Sequence, residues 1–295
     1  MTISNSFIKG LVALIIGASL LGLSAIFVKF SDSSPSTTAF YRALLALPFL
    51  YIWILIDKKQ VSNWNMPENN IFKYFLFAGL FFALDMSIWN WSIQFTSVAH
   101  ATLMANTAPI FVTFLGYIFF KEHIKPLFLL ALSLAILGVV IVVQSGSGNN
   151  ESRLFGDSLG LIAAIFYAGY IVSIKQLTRF ISPAQILFYA TLVTALFLLP
   201  LAIFESDEFL PASNRQWLLL IGYAFVSQTL AQGLITYGIS KLTAHLSSLT
   251  LLVQPIAAAF YGWLLLGESL VLFQILGGLL VLFAIYLASI KANPS

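Results

Sequence analysis

The chain has 295 residues, 60% of them hydrophobic and only 8% charged, where a soluble domain carries roughly 25% charged residues. A water-soluble fold of this size has no way to hide so much apolar surface, and the mean hydropathy of +0.95 points to lipid instead. The net charge of +3 comes without any basic run beyond Lys58-Lys59, so nucleic acid is excluded as a partner, and the absence of Cys excludes disulfides and thiolate metal sites.

A membrane span needs about 20 predominantly apolar residues. Charged or Pro/Gly/Asn-rich punctuation divides the chain into ten such stretches, at 8–28, 35–56, 71–95, 98–119, 126–144, 157–175, 183–204, 216–238, 243–265 and 270–290. The first follows a short N-terminus with Lys9 but lacks a cleavage motif, so it reads as a retained helix and not as a signal peptide. The longest connections are 57–70 and 145–156, and Ser145-Gly-Ser-Gly-Asn-Asn150 reads as a flexible joint. The expected fold class is all-α, a polytopic membrane protein with ten transmembrane helices in two inverted five-helix repeats, 1–145 and 150–295.

The two halves echo each other. Pro109 to Glu122 and Pro255 to Glu268 are equal steps of 13 residues; Gly116 and Gly262 share the offset of 146 with Lys29 and Lys175, and Phe40-Tyr41 matches Phe188-Tyr189 at 148. His100 and His245 each follow an Ala and open the fourth helix of their half. Five spans per half force the second copy to enter the membrane upside down, a recurrent transporter design with its site near the midplane. With the N-terminus inside, about ten Lys/Arg fall on the cytoplasmic side and three on the other. That bias predicts a multi-pass protein of the bacterial inner (plasma) membrane with both termini cytoplasmic.

Ionisable groups deep in a span are expensive and mark function or a structural pair. Two qualify, Arg42 in the second span and Asp85 in the third, at similar depth. They read either as an ion pair tying the two helices together, or as cavity groups. In the second reading Arg42 holds a substrate carboxylate by its planar fork, and Asp85 holds a substrate cation or a coupling proton. Asp85, Trp89, Ser92 and Thr96 recur at steps of four, three and four, on one helical face. Matching Gly79 to Gly222 places Gln228 opposite Asp85 and Gln232 opposite Trp89, so this polar face is expected to look into the bundle, lining a cavity or making interhelical hydrogen bonds. Among the aromatics, Trp53, Trp64, Trp217 and Trp263 read as interfacial. Trp89, Trp91, Tyr167 and Tyr170 sit deeper, where Trp89 and Tyr170 are candidates for an aromatic wall beside Asp85. Asn106 lies mid-helix before Pro109. Pro109 and Pro255 are candidate hinges, since proline frees backbone carbonyls, and His100 and His245 are candidate gates. No cofactor motif, no metal-ligand spacing, and no Walker, His-Glu-x-x-His or Gly-x-Ser-x-Gly pattern occurs, so the chain is not expected to be an enzyme or to use a metal or cofactor.

Several segments together carry a family resemblance. Phe95-Thr-Ser-Val-Ala-His-Ala-Thr-Leu-Met-Ala-Asn-Thr-Ala-Pro-Ile-Phe111, Ser247-Ser-Leu-Thr-Leu-Leu-Val-Gln-Pro255 through Leu266-Gly-Glu268, and Ala39-Phe-Tyr-Arg-Ala-Leu-Leu45 resemble the signatures of the EamA-type branch of the drug/metabolite transporter superfamily. Phe120-Lys-Glu122 departs from the usual Leu-Gly-Glu, which the second half keeps at Leu266-Gly-Glu268. The resemblance covers nearly the whole chain. It implies a secondary transporter, monomeric or homodimeric, that moves an amino acid, an organic cation or a similar small polar metabolite by alternating access. A drug exporter of the same fold is the alternative. An intramembrane enzyme or a channel is a weaker reading, and proton coupling stays open.

Overall fold

A computed structural model describes residues 5–57, 69–96, 98–121, 124–144, 151–205, 209–267 and 272–290. Trp64, Glu122, Glu268 and the joint at 145–150 lie outside the described residues, as does most of the 57–70 connection. Everything regular among the described residues is helical. The first half contains α1 (Asn5–Leu21), α2 (Ser24–Lys29), α3 (Pro35–Ile56), α4 (Asn69–Phe95), α5 (Val98–Ala105), α6 (Ala108–Phe120) and α7 (Pro126–Gln144). The second contains α8 (Glu151–Leu177), α9 (Pro183–Glu205), α10 (Asn214–Tyr223), a π-helix (Ala224–Ala231), α11 (Gln232–Lys241), α12 (Ala244–Thr250), α13 (Val253–Leu266) and α14 (Leu272–Ile290).

Seven stretches among the described residues are long and apolar enough to cross a membrane, and three further apolar helices, at Ala108–Phe119, Pro126–Ile141 and Ile275–Ser289, are shorter. The expected fourth span is the clearest departure. It is divided at Asn106-Thr107 into α5 and α6, so no single helix runs its full length.

Local sequence explains the helix ends. Pro35 opens α3 with the fixed φ that suits a first turn. Ser34 caps it by accepting from the Thr37 amide, and Glu205 at the end of α9 accepts from the Ser36 amide at 3.0 Å. A carboxylate there faces the positive end of the helix dipole. Ser213 caps α10 in the same way through the Gln216 amide. Lys121 closes α6 with φ of 53°, and Gly267 closes α13 with φ of 68°. The two helix ends therefore share one left-handed closure, although only the second has the glycine that suits it.

Large apolar side chains such as Ile56, Phe114, Phe119, Phe204 and Leu218 are exposed, as a lipid-facing surface requires, while Leu14, Leu50, Phe82, Tyr170 and Leu198 are buried. Trp53 packs its ring over Gly233, Trp217 meets Tyr41 edge-on at 5.4 Å, and Trp91 and Trp263 are exposed. With little hydrophobic drive between helices in lipid, close approach depends on small residues. Gly79 of α4 lies against α9, where an added Cβ would stand 2.3 Å from Val193 Cγ1. We expect Gly79→Ala to cost about 1–3 kcal/mol through overpacking. Val193→Ala in the same chain should recover most of it, as read by thermal unfolding in detergent; no recovery would mean that the α4–α9 contact is not the cause.

The start of α1 lies beside the end of α11, where an added Cβ at Gly10 would meet Lys241. Lys175 reaches the same end, donating to the carbonyls of Ile239 at 2.9 Å and of Leu242. Lys29 closes α2 at the far end of that first apolar stretch. The two lysines matched by sequence thus stand at opposite ends of the bundle.

Candidate substrate cavity

Three apolar stretches are interrupted: at Gly22-Leu23, at Asn106-Thr107 and at Leu251-Leu252. Pro109 cannot donate to the Ala105 carbonyl four residues before it, and Pro255 cannot donate to Leu251. The chain repairs the gap locally. The Asn106 amide nitrogen and side chain both donate to the Thr102 carbonyl, Thr107 donates to Met104, and the Leu251 carbonyl accepts from the Gln254 amide at 2.9 Å. Irregular backbone of this kind is tolerated at membrane depth where it is buried or lines a wet cavity. Here it does line one. Leu21, Ala105, Asn106, Ala108, Pro109, Leu251, Leu252 and Gln254, all from the broken segments, face a single cavity.

Arg42 enters the cavity from α3, and its guanidinium is held on several sides. Nε donates to Gln228 Oε1 at 3.0 Å, and Nη1 donates to the Tyr223 hydroxyl at 3.2 Å. Gln228 is anchored in turn by donating to Thr191 Oγ1 at 3.0 Å. Its Cζ lies over the rings of Tyr223, at 5.1 Å, and Phe82, at 5.6 Å. Phe27 stacks behind Tyr223. Arg42 is only 5% exposed, yet Nη2 has no partner among the described residues.

Asp85 enters the same cavity from α4. No contact ion pair between it and Arg42 is made among the described residues: Nε and Nη1 of Arg42 donate to Gln228 and Tyr223, and Nη2 has no partner. An arginine and an aspartate therefore share one cavity without contact between them. Trp89, Met86 and Phe82 continue the α4 wall, and Tyr167 and Gln232 face it from α8 and α11.

The polar stripe on α4 divides. Asp85 and Trp89 line the cavity, whereas Ser92 donates to the Gly156 carbonyl at 2.7 Å and Thr96 to Asp157 at 2.9 Å, fixing α4 to the start of α8. Among the other sequence-stated candidates, Asn106, Gln232 and Pro109 line the cavity. Gln228 and Tyr170 stand just behind the wall: Gln228 carries Arg42, and Tyr170 stacks on Phe82 at 4.3 Å. Pro255 yields its place to Gln254. His245 lies away from the cavity, edge-on to Phe128 at 4.6 Å and 3.3 Å from Thr243 Oγ1. His100 belongs to α5, and its side chain lies outside the described ones.

Sequence reasoning passed over Tyr223, Phe82, Thr102, Ser248 and Gln254. Thr102 and Ser248 had a signal. They follow His100 and His245 by two and three residues in the matched segments, and both reach the cavity. Tyr223 had none, because one tyrosine among many aromatics does not announce that it carries an arginine.

Buried charge, broken helices and a central cavity inside an apolar helical bundle define a multi-pass membrane transporter. The chain belongs to the EamA-like transporter family, which matches residues 8–144 and again residues 154–290. It is 28% identical over 245 residues to the pseudopaline exporter of Pseudomonas aeruginosa strain UCBPP-PA14, covering 83% of this chain and 82% of that one. It is 24% identical over 291 residues to a riboflavin transporter of Fusobacterium nucleatum, covering 95% of this chain and 97% of that one. A solved crystal structure, 16% identical, superposes with a TM-score of 0.78 over 99% of this chain and 98% of that chain, and so shares its fold. The family and these relatives are transporters and not enzymes.

Proposed function

We propose that the protein is a secondary transporter that moves a small polar metabolite across the bacterial inner membrane by alternating access. The observation that carries this reading is the unpaired placement of Arg42 and Asp85 in one cavity. A free guanidinium edge suits a carboxylate, and a separate carboxylate suits a cationic group. The favoured cargo is therefore a molecule bearing both, such as an amino acid, with its apolar part against Trp89, Met86 and Tyr167. In this reading ten spans form two inverted halves, 1–145 and 150–295, both termini are cytoplasmic, and the broken segments near Asn106-Thr107 and Leu251-Leu252 bend as the halves rock. Export of a larger aromatic compound is the second reading, favoured by the Trp89–Tyr167 wall and by the exporter among the relatives.

Two measurements test this. In proteoliposomes loaded with unlabelled amino acids, labelled zwitterions should exchange inward by counterflow, and amines or acids lacking the second charge should exchange at least about tenfold more slowly, as loss of one charged contact implies. Equal exchange of all three classes would overturn the zwitterion reading. The sidedness is tested separately. A single Cys at position 62 should label only from inside, which is unambiguous because the natural chain contains no Cys. Labelling from outside intact cells would reverse the orientation.

A further inference from the structure

From Tyr167, whose ring faces the cargo, a polar extension leads away from the cavity. Tyr167 Oη, Gln232 Oε1, Tyr170 Oη and Thr236 Oγ1 are all buried and make no well-aligned hydrogen bond among the described residues, their polar neighbours being one another, Tyr167 with Gln232 and Tyr170 with Thr236. Gln232, Tyr170 and Thr236 are each at most 1% exposed. Buried polar atoms are nearly always satisfied, and a set of exceptions gathered in one place calls for a ligand or water.

Their placement is ordered. Tyr167 and Tyr170 are three residues apart on α8, and Gln232 and Thr236 four apart on α11, so each pair shares a helix face. The helices face each other with Tyr167 beside Gln232 and Tyr170 beside Thr236. Tyr167 and Gln232 line the cavity. Thr236 lies one turn further, and three residues beyond it the Ile239 carbonyl accepts from Lys175. The two rungs thus lead from the cavity to the lysine-bearing end of the bundle, over roughly 10 Å at 1.5 Å per residue.

We propose that these two rungs bind a file of water linking the central cavity to the Lys175 end, and that the file carries protons between Asp85 and that side. Each rung offers a phenol hydroxyl and a second polar group, enough for a water's two to four partners. On the α1 side of α11, Leu14 packs against Gly238 and Ile235 against Gly17, both fully buried, which leaves the rungs on the face of α11 turned to α8. The charged and titratable groups facing Asp85 are Arg42 from α3 and Tyr167 and Tyr170 from α8. The described side chains of α5 include none, and Tyr189 of α9 meets Phe75 edge-on at 5.2 Å. The proton's role in transport rests on the function proposed above; the water file does not.

The test separates the two. Thr236→Cys, Ser248→Cys and Leu198→Cys are made singly in the otherwise Cys-free chain and exposed in membranes to Ag⁺, which reacts with thiolate and so requires water at the sulfur. Thr236→Cys should react within about tenfold of the cavity control Ser248→Cys, and Leu198→Cys, buried among apolar side chains, at least about 100-fold more slowly. Thr236→Cys reacting as slowly as Leu198→Cys overturns the proposal. Should Thr236→Cys fail to fold, radiolytic water labelling of the unaltered protein decides: Tyr170 should label alongside Tyr167, and an unlabelled Tyr170 beside a labelled Tyr167 overturns it. For the proton, vesicles containing a trapped pH dye are given a pH gradient. Entry through the natural chain should exceed entry through Tyr170→Phe/Thr236→Val about tenfold, since a broken file stops the relay, and equal entry overturns the proton role. If the natural chain moves no amino acid while Thr236→Cys still reacts, the cargo assignment fails and the water file stands.

Discussion

Asp85→Asn is expected to abolish transport of a zwitterion and to leave the fold nearly intact, within about 1 kcal/mol of the natural chain. Asp85 makes no contact pair with Arg42, so its charge is not needed to hold α3 against α4. The guanidinium keeps Gln228, Tyr223 and two ring faces when Asp85 is neutralised. A second change, Arg42→Gln, should therefore not restore activity. This differs from a structural ion pair, where removing one partner strands a buried charge at about 3–5 kcal/mol and removing both relieves it. Counterflow alongside thermal unfolding distinguishes the cases. A stable Asp85→Asn protein that transports normally at every pH would rule out a role for the carboxylate in the cavity.

Arg42 should carry both stability and activity. Arg42→Met removes a buried charge whose third nitrogen is unsatisfied, but it leaves Gln228 Oε1 buried without its donor. A stranded buried polar group costs about 1–3 kcal/mol, so the unfolding temperature should fall modestly while transport is lost. Arg42→Lys keeps the charge but should also fail. A single ammonium cannot satisfy Gln228 and Tyr223, sit over two rings and still present a free donor to a carboxylate. We expect at least about a 100-fold loss of zwitterion exchange in Arg42→Lys, corresponding to roughly 3 kcal/mol of charge-assisted binding. Exchange within a few-fold of the natural chain would mean that the positive charge alone suffices.

Much of the frame was readable because lipid permits so few solutions. Apolar runs of span length announce helices, and Arg42 and Asp85 stand out because burying charge there is costly. What the sequence could not convey lies in the joints. The prolines at 109 and 255 signalled two interruptions, but each falls two or more residues earlier, where the donor that proline lacks would have been needed. The interruption at Gly22-Leu23 carries no proline at all and depends on contact: an added Cβ at Gly22 would meet the backbone of Gln254 and Ala258. The ion pair was a fair alternative from depth alone. It gave way to Gln228 and Tyr223, whose approach to Arg42 is set by tertiary packing between α3 and the second half. The match of Asp85 with Gln228 and Trp89 with Gln232 treated both helices as uniform, and the second is not.

That second helix is wound wide from Ala224 to Ala231. A π turn holds an extra residue relative to an α turn, so the segment acts as a phase shifter on the helical wheel. Everything after it is rotated by about 100°, one residue's worth at 3.6 per turn. Gln232, Thr236 and Ile239 owe their inward aim to that rotation. The segment should then be sensitive to substitutions that favour plain α-winding. Tightening it to α-helix with all its residues kept would turn Gln232 and Thr236 out of the interior, whereas losing one residue between 224 and 231 would let it tighten with both still facing inward.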